Sequence, residues 1–280
     1  MKLGLVAAGG PFPAKVAEAA LAAGHQVFVI CLRDFCDDPA LRQYPHLEER
    51  IGAGGAIVQR LKVEGVTHLA LCGRARRPSL TSLWPDAWMA RTVARMGKAL
   101  FGGDDAVLRA GIAILVEEGF EIIAPQSLLG ASSATAGLLA GPAPDELARE
   151  DIRRGIAVLR AMAEADVGQA VVVQQGLILG VEAIEGTDAL LARAGELRRE
   201  GPGGILVKLA KTGQEMRVDA PVVGPVTVQM AEAAGLRGIA IEAESTILAE
   251  RAAMLKAAEA VGIFVLAIQP EEFLRNNGEK

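Results

Sequence analysis

Charged and hydroxyl side chains cluster between residues 205 and 246, at the ends of predicted strands and the starts of predicted helices. Their order along the chain is Lys208, Lys211, Arg217, Asp219 and Thr227. Two lysines, an arginine and a helix N-terminus suit an anionic, phosphate-like ligand. The isolated acid suits a metal ion or a polarised water molecule. The competing interpretation is structural, with Lys208 a solvated edge residue, Asp219 a turn former and Thr227 an N-cap.

A second group of candidates follows the first apolar run of the chain. Lys2 to Ala7 reads as a buried strand, and Gly9, Gly10 and Pro11 then precede a helical pattern. Such a turn presents backbone N–H groups to a phosphate. The pattern is not GxGxxG, and no acid directly ends the next apolar run, because Arg33 follows it. A dinucleotide cofactor is therefore disfavoured, and a nucleotide or sugar at this turn is left open.

Two further loops carry charge after predicted strands or before predicted helices. Arg74 and Arg76 follow the apolar run His68 to Cys72 and are interpreted either as a solvated loop or as phosphate contacts. Gly103, Asp104 and Asp105 precede a helical pattern. Asp104 suits an N-cap, and the adjacent acids are also candidate ligand contacts.

Acids also gather after a predicted β-hairpin, whose two apolar runs are joined by Gln174, Gln175 and Gly176. Glu182, Glu185, Thr187 and Asp188 come between this hairpin and the next helical pattern. Taken alone, Asp188 reads best as a helix cap.

The order of apolar runs predicts an α/β fold in two domains. Strands and helices alternate over residues 1–130, which predicts a Rossmann-like, parallel-sheet N-terminal domain. Residues 140–280 contain the hairpin and predict an α+β domain that carries the catalytic residues. A Gly-, Ala-, Ser- and Pro-rich stretch over residues 128–144 predicts the linker. The ligand is expected in a cleft between the domains.

Composition narrows the classes of function. The chain has 280 residues, of which 51% are hydrophobic and 4% aromatic, so aliphatic side chains must fill its core. The net charge of −5 excludes a general nucleic-acid binder, which would carry a basic face. The three cysteines show no metal-binding spacing and fit a reducing, cytoplasmic compartment.

Neither a secretory leader nor a membrane span is predicted. The apolar run at the start is broken by Gly9, Gly10 and Pro11, and no run reaches about 18 apolar residues. A lipid ligand would then be handled in an internal pocket or by peripheral contact with the inner membrane.

Long motifs in order along the chain resemble the LpxI family, the UDP-2,3-diacylglucosamine pyrophosphatases of lipid A biosynthesis. The stretches that match are GLVAAGGPFPAKVAEAALAAGHQVFVICL, CGRARRPSL, GDDAVLRAGIAILVEEGFEIIAP, DVGQAVVVQQGLILGVEAIEGTDALLARA, VKLAKTGQEMRVDAPVVGPVTV and GLRGIAIEAESTI. The resemblance implies hydrolysis of UDP-2,3-diacylglucosamine, assisted by Mg²⁺ or Mn²⁺, to UMP and 2,3-diacylglucosamine 1-phosphate. Whether the enzyme is a homodimer is left open.

The resemblance also implies roles for individual residues. Asp219 is the expected catalytic acid, with Lys208, Lys211 and Arg217 stabilising negative charge. The expected metal ligands are Asp219, Asp188 and Glu185, whereas Glu182 is not included. The expected substrate contacts are Gly9, Gly10, Pro11, Arg74, Arg76, Gly103, Asp104, Asp105, Gln169, Thr187, Asp188, Thr227 and Glu242.

Two other classes of function compete with hydrolysis. One is a nucleotide-sugar transferase or oxidoreductase that uses the first domain for its cofactor, and the lack of GxGxxG counts against it. The other is a non-catalytic binding protein for nucleotide sugars, in which the acids are structural. A metal requirement for turnover would separate the enzyme from the binding protein.

Overall fold

The computed structural model describes residues 1–75, 83–101, 103–130, 133–211 and 216–275, without the side chains of Phe101, Asp104 and Asp219. It divides into two compact units. The first comprises Met1–Gly130 and Glu215–Asp219, and the second comprises Ala131–Gln214 and Ala220–Lys280.

The first unit alternates strands with helices. In chain order its elements are β1 (Lys2–Ala7), α1 (Phe12–Ala22), β2 (Gln26–Leu32), β3 (His46–Glu49), α2 (Gly54–Val63), β4 (His68–Cys72), α3 (Ala87–Met96), α4 (Asp104–Glu117), β5 (Glu121–Ile122) and α5 (Pro125–Leu128). Two 3₁₀ helices span Pro39–Gln43 and Gly97–Phe101.

Its described strands form one parallel sheet in the order β3-β2-β1-β4-β5. After the exposed Gln26, strand β2 is hydrophobic and buried from Val27 to Leu32, as expected for a strand that is covered on both faces. Val27, Val29 and Cys31 pack with α1 on one face, whereas Phe28 and Ile30 pack on the other. The strand order reverses between β1 and β4, which makes their carboxyl ends the topological switch point of the sheet.

The second unit also mixes strands and helices. Its elements, together with the short helix α8, are β6 (Gly137–Ala140), α6 (Glu146–Ala163), β7 (Ala170–Gln174), β8 (Leu177–Val181), α7 (Thr187–Glu196), β9 (Ile205–Lys208), α8 (Met216–Asp219), β10 (Val222–Val223), α9 (Pro225–Ala233), β11 (Gly238–Glu242), β12 (Ile247–Leu248), α10 (Arg251–Val261), β13 (Phe264–Ile268) and α11 (Pro270–Arg275).

Its main sheet, over the described residues, has the order β6-β13-β11-β9-β7-β8. The central strands β9, β11 and β13 are parallel, whereas β7 is antiparallel to both β8 and β9. Strands β7 and β8 form the predicted hairpin. The predicted α/β fold class is confirmed, with a parallel sheet in the first unit and a separate mixed sheet in the second.

Two segments differ from the predicted division of the chain. Helix α8 was predicted within residues 140–280 but groups with the first unit, where Val218 packs against that unit's hydrophobic cluster. The predicted linker was too long, because residues 137–140 form β6 and pair with β13. Backbone pairing along the side of β13 gives this small-residue stretch a regular structure.

Among the helices in the described part of the chain, none combines the length and the hydrophobicity that a bilayer-spanning helix requires.

Candidate active site

The carboxyl ends of β9 and β11 lie at one edge of the second unit's sheet. Because β7 runs antiparallel to β9, its start lies at this same edge, and Ala170 pairs with Lys208. Strand β8 ends there too, since the N–H of Glu182 donates to the carbonyl of Ala170 at 2.8 Å. Parallel strands bring polar side chains together at such edges, where ligands of α/β proteins commonly bind.

Lys208 ends β9 and is buried, with 7% of its surface exposed. Its Nζ donates to Thr187 Oγ1 at 2.9 Å and to the carbonyl of Val222 at 3.2 Å. A buried ammonium group is stable only where acceptors replace its water. The interpretation of Lys208 as a solvated edge residue is therefore wrong.

Glu182 is a buried acid that is connected to Lys208 through the hydroxyl of Thr187. Its Oε1 accepts from Thr187 Oγ1 at 2.7 Å, and its Oε2 accepts from the N–H of Gln169 at 3.3 Å. Sequence reasoning excluded Glu182 from the site. The signal that could have found it is the predicted hairpin, because antiparallel pairing brings the end of β8 beside Gln169.

Lys211 follows β9 and has an acidic partner that sequence reasoning also missed. Its Nζ lies 2.6 Å from Asp166 Oδ1, in a loop between α6 and β7. Asp166 Oδ2 is buried and has no hydrogen-bond partner among the described residues. The pair places a second ammonium group after β9.

Glu242 ends β11, and its Oε2 accepts from the N–H of Ala210 at 2.8 Å. Burial raises the pKa of Glu242, and hydrogen bonds from Ala210 and Ser245 oppose that rise. This hydrogen bond connects the backbone of Ala210, just after β9, to the end of the neighbouring strand β11.

Glu242→Gln should stabilise the fold relative to wild type increasingly as pH rises. The raised pKa means that the folded state binds the Glu242 proton more tightly, so this contribution is full below the unfolded pKa and is lost as pH rises through the folded pKa. The measurement is the difference in Tm between the two proteins from pH 4 to pH 8, with exposed Glu259→Gln as the control. A difference that does not change with pH would contradict the prediction.

The switch point of the first unit holds the other group of predicted residues. The N–H of Gly9 donates to the carbonyl of Arg74 at 3.1 Å, and the N–H of Arg74 donates to the carbonyl of Gly9 at 2.8 Å. The N–H of Gly10 donates to Asp37 Oδ1 at 2.8 Å. These two glycine N–H groups thus have acceptors within the protein, one of them a carboxylate that sequence reasoning did not single out. Pro11 directly precedes α1 as its N-cap.

Gly10 has a backbone φ of +90°, and a Cβ there would lie 3.4 Å from the guanidinium nitrogens of Arg74. The arginine side chain therefore covers this turn.

Gly103 is the N-cap residue of α4 and, as a glycine, has no side chain with which to cap the helix. Asp105 is buried and pairs with Arg109 one helical turn later, at 3.0 Å. This ion pair connects the first turn of α4 to the second, and the expected substrate contact of Asp105 stays a prediction.

Comparison with known proteins covers almost the whole chain. The sequence model of the LpxI N-terminal domain matches residues 2–131, and that of the LpxI C-terminal domain matches residues 135–266. The chain belongs to the LpxI family. One LpxI-family relative, the UDP-2,3-diacylglucosamine pyrophosphatase LpxI of Caulobacter vibrioides, is 39% identical in an alignment 279 residues long that covers 97% of this chain and 99% of the relative. The predicted resemblance to an LpxI enzyme is confirmed.

Two solved structures that are similar to this LpxI-family chain have much lower sequence identity. CobK precorrin-6A reductase is 13% identical with a TM-score of 0.32, over 96% of this chain and 87% of that one. The UDP-glucose 4-epimerase of Thermus thermophilus, in complex with NAD, is 13% identical with a TM-score of 0.32, over 100% of this chain and 94% of that one. Similarity at this level supports no conclusion about the LpxI-family chain.

Two of the metal ligands expected for an LpxI enzyme, Glu185 and Asp188, have different surroundings in the structure. Glu185 Oε1 accepts from Arg193 Nη2 at 2.7 Å, and its Oε2 accepts from the N–H of Ala183 at 3.2 Å. Asp188 is exposed in the first turn of α7, where a carboxylate suits the helix dipole. Among the described residues, no group of three or more His, Cys, Asp and Glu side chains could hold a metal ion. Metal binding therefore stays a prediction, and the side chain of Asp219, one of its expected ligands, lies outside the described residues.

Several residues expected to act in an LpxI site lie partly or wholly outside the described residues. Arg76 lies wholly outside them, and so do the side chains of Asp104 and Asp219. The backbone of Asp219 ends α8, which also carries the exposed Arg217. Thr227 is in the first turn of α9, and its Oγ1 accepts from the N–H of Gly224 at 3.4 Å. Thr227 thus contributes to the cap of that helix.

Proposed function

We propose that this LpxI-family chain hydrolyses the diphosphate of UDP-2,3-diacylglucosamine, giving UMP and 2,3-diacylglucosamine 1-phosphate for lipid A biosynthesis. The observation that carries the proposal is the 39% identity to a pyrophosphatase of that name over 97% of this chain. Both LpxI domains are present in order, so the likeness extends over both units.

The charged groups of the second unit support diphosphate chemistry. Hydrolysis joins a water oxygen to one phosphorus and breaks the bond from that phosphorus to the bridging oxygen, so negative charge builds on the leaving phosphate. Lys208 and Lys211 lie at or just after the carboxyl end of β9, each hydrogen-bonded within its unit. Ammonium groups held in place in this way stabilise developing negative charge without reorganising during the reaction.

The hydrolysis is tested directly with the purified enzyme and the diacylated UDP-sugar. In ¹⁸O-labelled water the label should appear in UMP or in the sugar phosphate, and mass spectrometry identifies which phosphorus was attacked. Tight binding of the substrate without any product would favour a non-catalytic binding protein and overturn the proposed function.

We also propose that turnover requires Mg²⁺ or Mn²⁺. A bound divalent cation would neutralise charge on the diphosphate and lower the pKa of a coordinated water. Asp219 is the proposed ligand, because it is the acid between Arg217 and the helix that begins at Pro225.

EDTA should reduce hydrolysis to background, and adding excess Mg²⁺ or Mn²⁺ should restore it. The Tm measured with and without EDTA is the control, because it separates loss of catalysis from loss of fold. Full activity in the presence of EDTA would exclude the metal requirement.

A substrate with two acyl chains resides in a membrane, so we propose peripheral contact of the enzyme with the inner membrane. Flotation with vesicles of phospholipid, with and without the substrate, tests this contact. Enzyme that stays in the aqueous fraction under both conditions would contradict it.

A further inference from the structure

We propose that Glu182 and Thr187 are positioning residues that hold the ammonium group of Lys208 for the reaction. The proposal rests on the proposed hydrolysis for its effect on turnover. Its structural basis is a continuous chain of hydrogen bonds from Lys208 through Thr187 to Glu182, all within the second unit.

The direction of each hydrogen bond in this chain follows from the chemistry of the groups. A lysine ammonium group donates and cannot accept, so Thr187 Oγ1 accepts from Lys208 Nζ at 2.9 Å. The hydroxyl proton of Thr187 is then directed to Glu182 Oε1 at 2.7 Å. The threonine hydroxyl therefore connects a cation to an anion, and each bond polarises the other.

The acidic end of the chain is fixed by the sheet. Glu182 has 7% of its surface exposed, and its Oε2 accepts from the N–H of Gln169. Its own N–H donates to Ala170 at 2.8 Å, which continues the pairing of β7 with β8. The backbone is also close to Gly168, where an added Cβ would lie 2.0 Å from the carbonyl oxygen of Glu182. Little freedom is left for the carboxylate to move.

The cationic end is held from a second direction as well. Lys208 Nζ donates to the carbonyl of Val222 at 3.2 Å, so acceptors from α7 and from β10 both direct it. Lysine has a flexible stem that loses much rotamer freedom when its ammonium group is fixed. A group that is already fixed before the reaction contributes more to the transition state than to substrate binding. The effect of the chain should therefore appear in kcat.

The test compares Glu182→Gln, Thr187→Val and Thr187→Ser in the full-length enzyme, with Glu196→Gln on the exposed end of α7 as the matched control. Glu182→Gln and Thr187→Val should each lower kcat about tenfold, because the first removes the negative charge at the end of the chain and the second removes the hydroxyl that connects the two charges. The KM should stay within about threefold of wild type, since the side chains of Thr187 and Glu182 already have hydrogen-bond partners within the protein. Thr187→Ser keeps the hydroxyl and should restore kcat.

The double variant of Glu182→Gln with Thr187→Val should be no slower than the slower single variant, because both changes break one chain. A structural role alone would lower the Tm of both single variants with kcat unchanged, and that result overturns the proposal. Should Glu182→Gln fail to fold, Thr187→Val against Thr187→Ser decides, because valine and threonine have nearly the same shape.

A second measurement needs no turnover. The folded protein is treated with a limiting amount of an amine-reactive acylating reagent, and mass spectrometry measures the rate at which Lys208 is modified. This rate should be about tenfold higher in Glu182→Gln and Thr187→Val than in wild type or Thr187→Ser. An unchanged rate in both variants overturns the proposal. If wild type does not hydrolyse the substrate, the proposed function fails and this labelling alone decides whether the chain holds Lys208.

Discussion

Asp219→Ala and Asp219→Asn are expected to lower kcat by about 100-fold or more while substrate binding survives. Asp219 is the proposed ligand of the cation that would activate water, so either change removes the carboxylate that binds the cation. Most of the area in contact with the substrate is kept. Affinity for the substrate should be kept, and Asp219→Ala could tighten it by removing repulsion between the carboxylate and the diphosphate. The variant should therefore retain intact substrate.

The measurement is kcat with substrate affinity and Tm for both variants. If Asp219 only ends a helical turn, Asp219→Ala should cost about 1 kcal/mol of stability and leave kcat nearly normal. A normal kcat with a lowered Tm would give Asp219 a structural role and remove the main support for the metal proposal.

Lys208→Met should lower kcat by about 100-fold and also destabilise the protein by about 2–3 kcal/mol. Methionine has nearly the length of lysine but no charge, so the change removes the proposed stabiliser of the leaving phosphate. It also leaves the carboxylate of Glu182 buried without the cation at the other end of its hydrogen-bonded chain.

Adding Glu182→Gln to Lys208→Met separates the two effects. The double variant should regain much of the lost Tm, because the uncompensated buried charge is removed, but its kcat should stay low. Thermal and chemical denaturation and steady-state kinetics on Lys208→Met, Glu182→Gln and the double variant measure both effects. A Lys208→Met enzyme with normal kcat would exclude the catalytic role of Lys208.

Local patterns in the sequence were enough to predict several elements. Apolar runs bounded by turn residues predicted β1 and β4 with the bounds that the structure has, Lys2–Ala7 and His68–Cys72. A parallel strand that is covered on both faces is mostly hydrophobic, so the turn residues that follow it, such as Gly9 after β1 and Gly73 after β4, mark where it ends. The hairpin of β7 and β8 was predicted because its two apolar runs are joined by the short turn Gln-Gln-Gly.

The partners of the site residues were not predictable in this way. Lys208 and Lys211 were singled out as types suited to phosphate chemistry, but their acceptors Thr187 and Asp166 lie 21 and 45 residues away. Sequence spacing carries information over a few residues of a helix or strand. Contacts at longer separation depend on strand register and on where loops return to the sheet.

The sequence by itself determined the family, the α/β class and the elements that place Lys208 at a strand end, because these follow from local hydrophobic patterns and long motifs. Only the tertiary structure decided that Glu182 belongs with Lys208 and that Asp37 accepts from Gly10. The sequence does not show whether the carboxylate of a given Asp or Glu is solvated or buried. Burial and pairing are set by the packed sheet, which brings Glu182 to Thr187 and leaves Glu185 paired with Arg193 in the loop before α7.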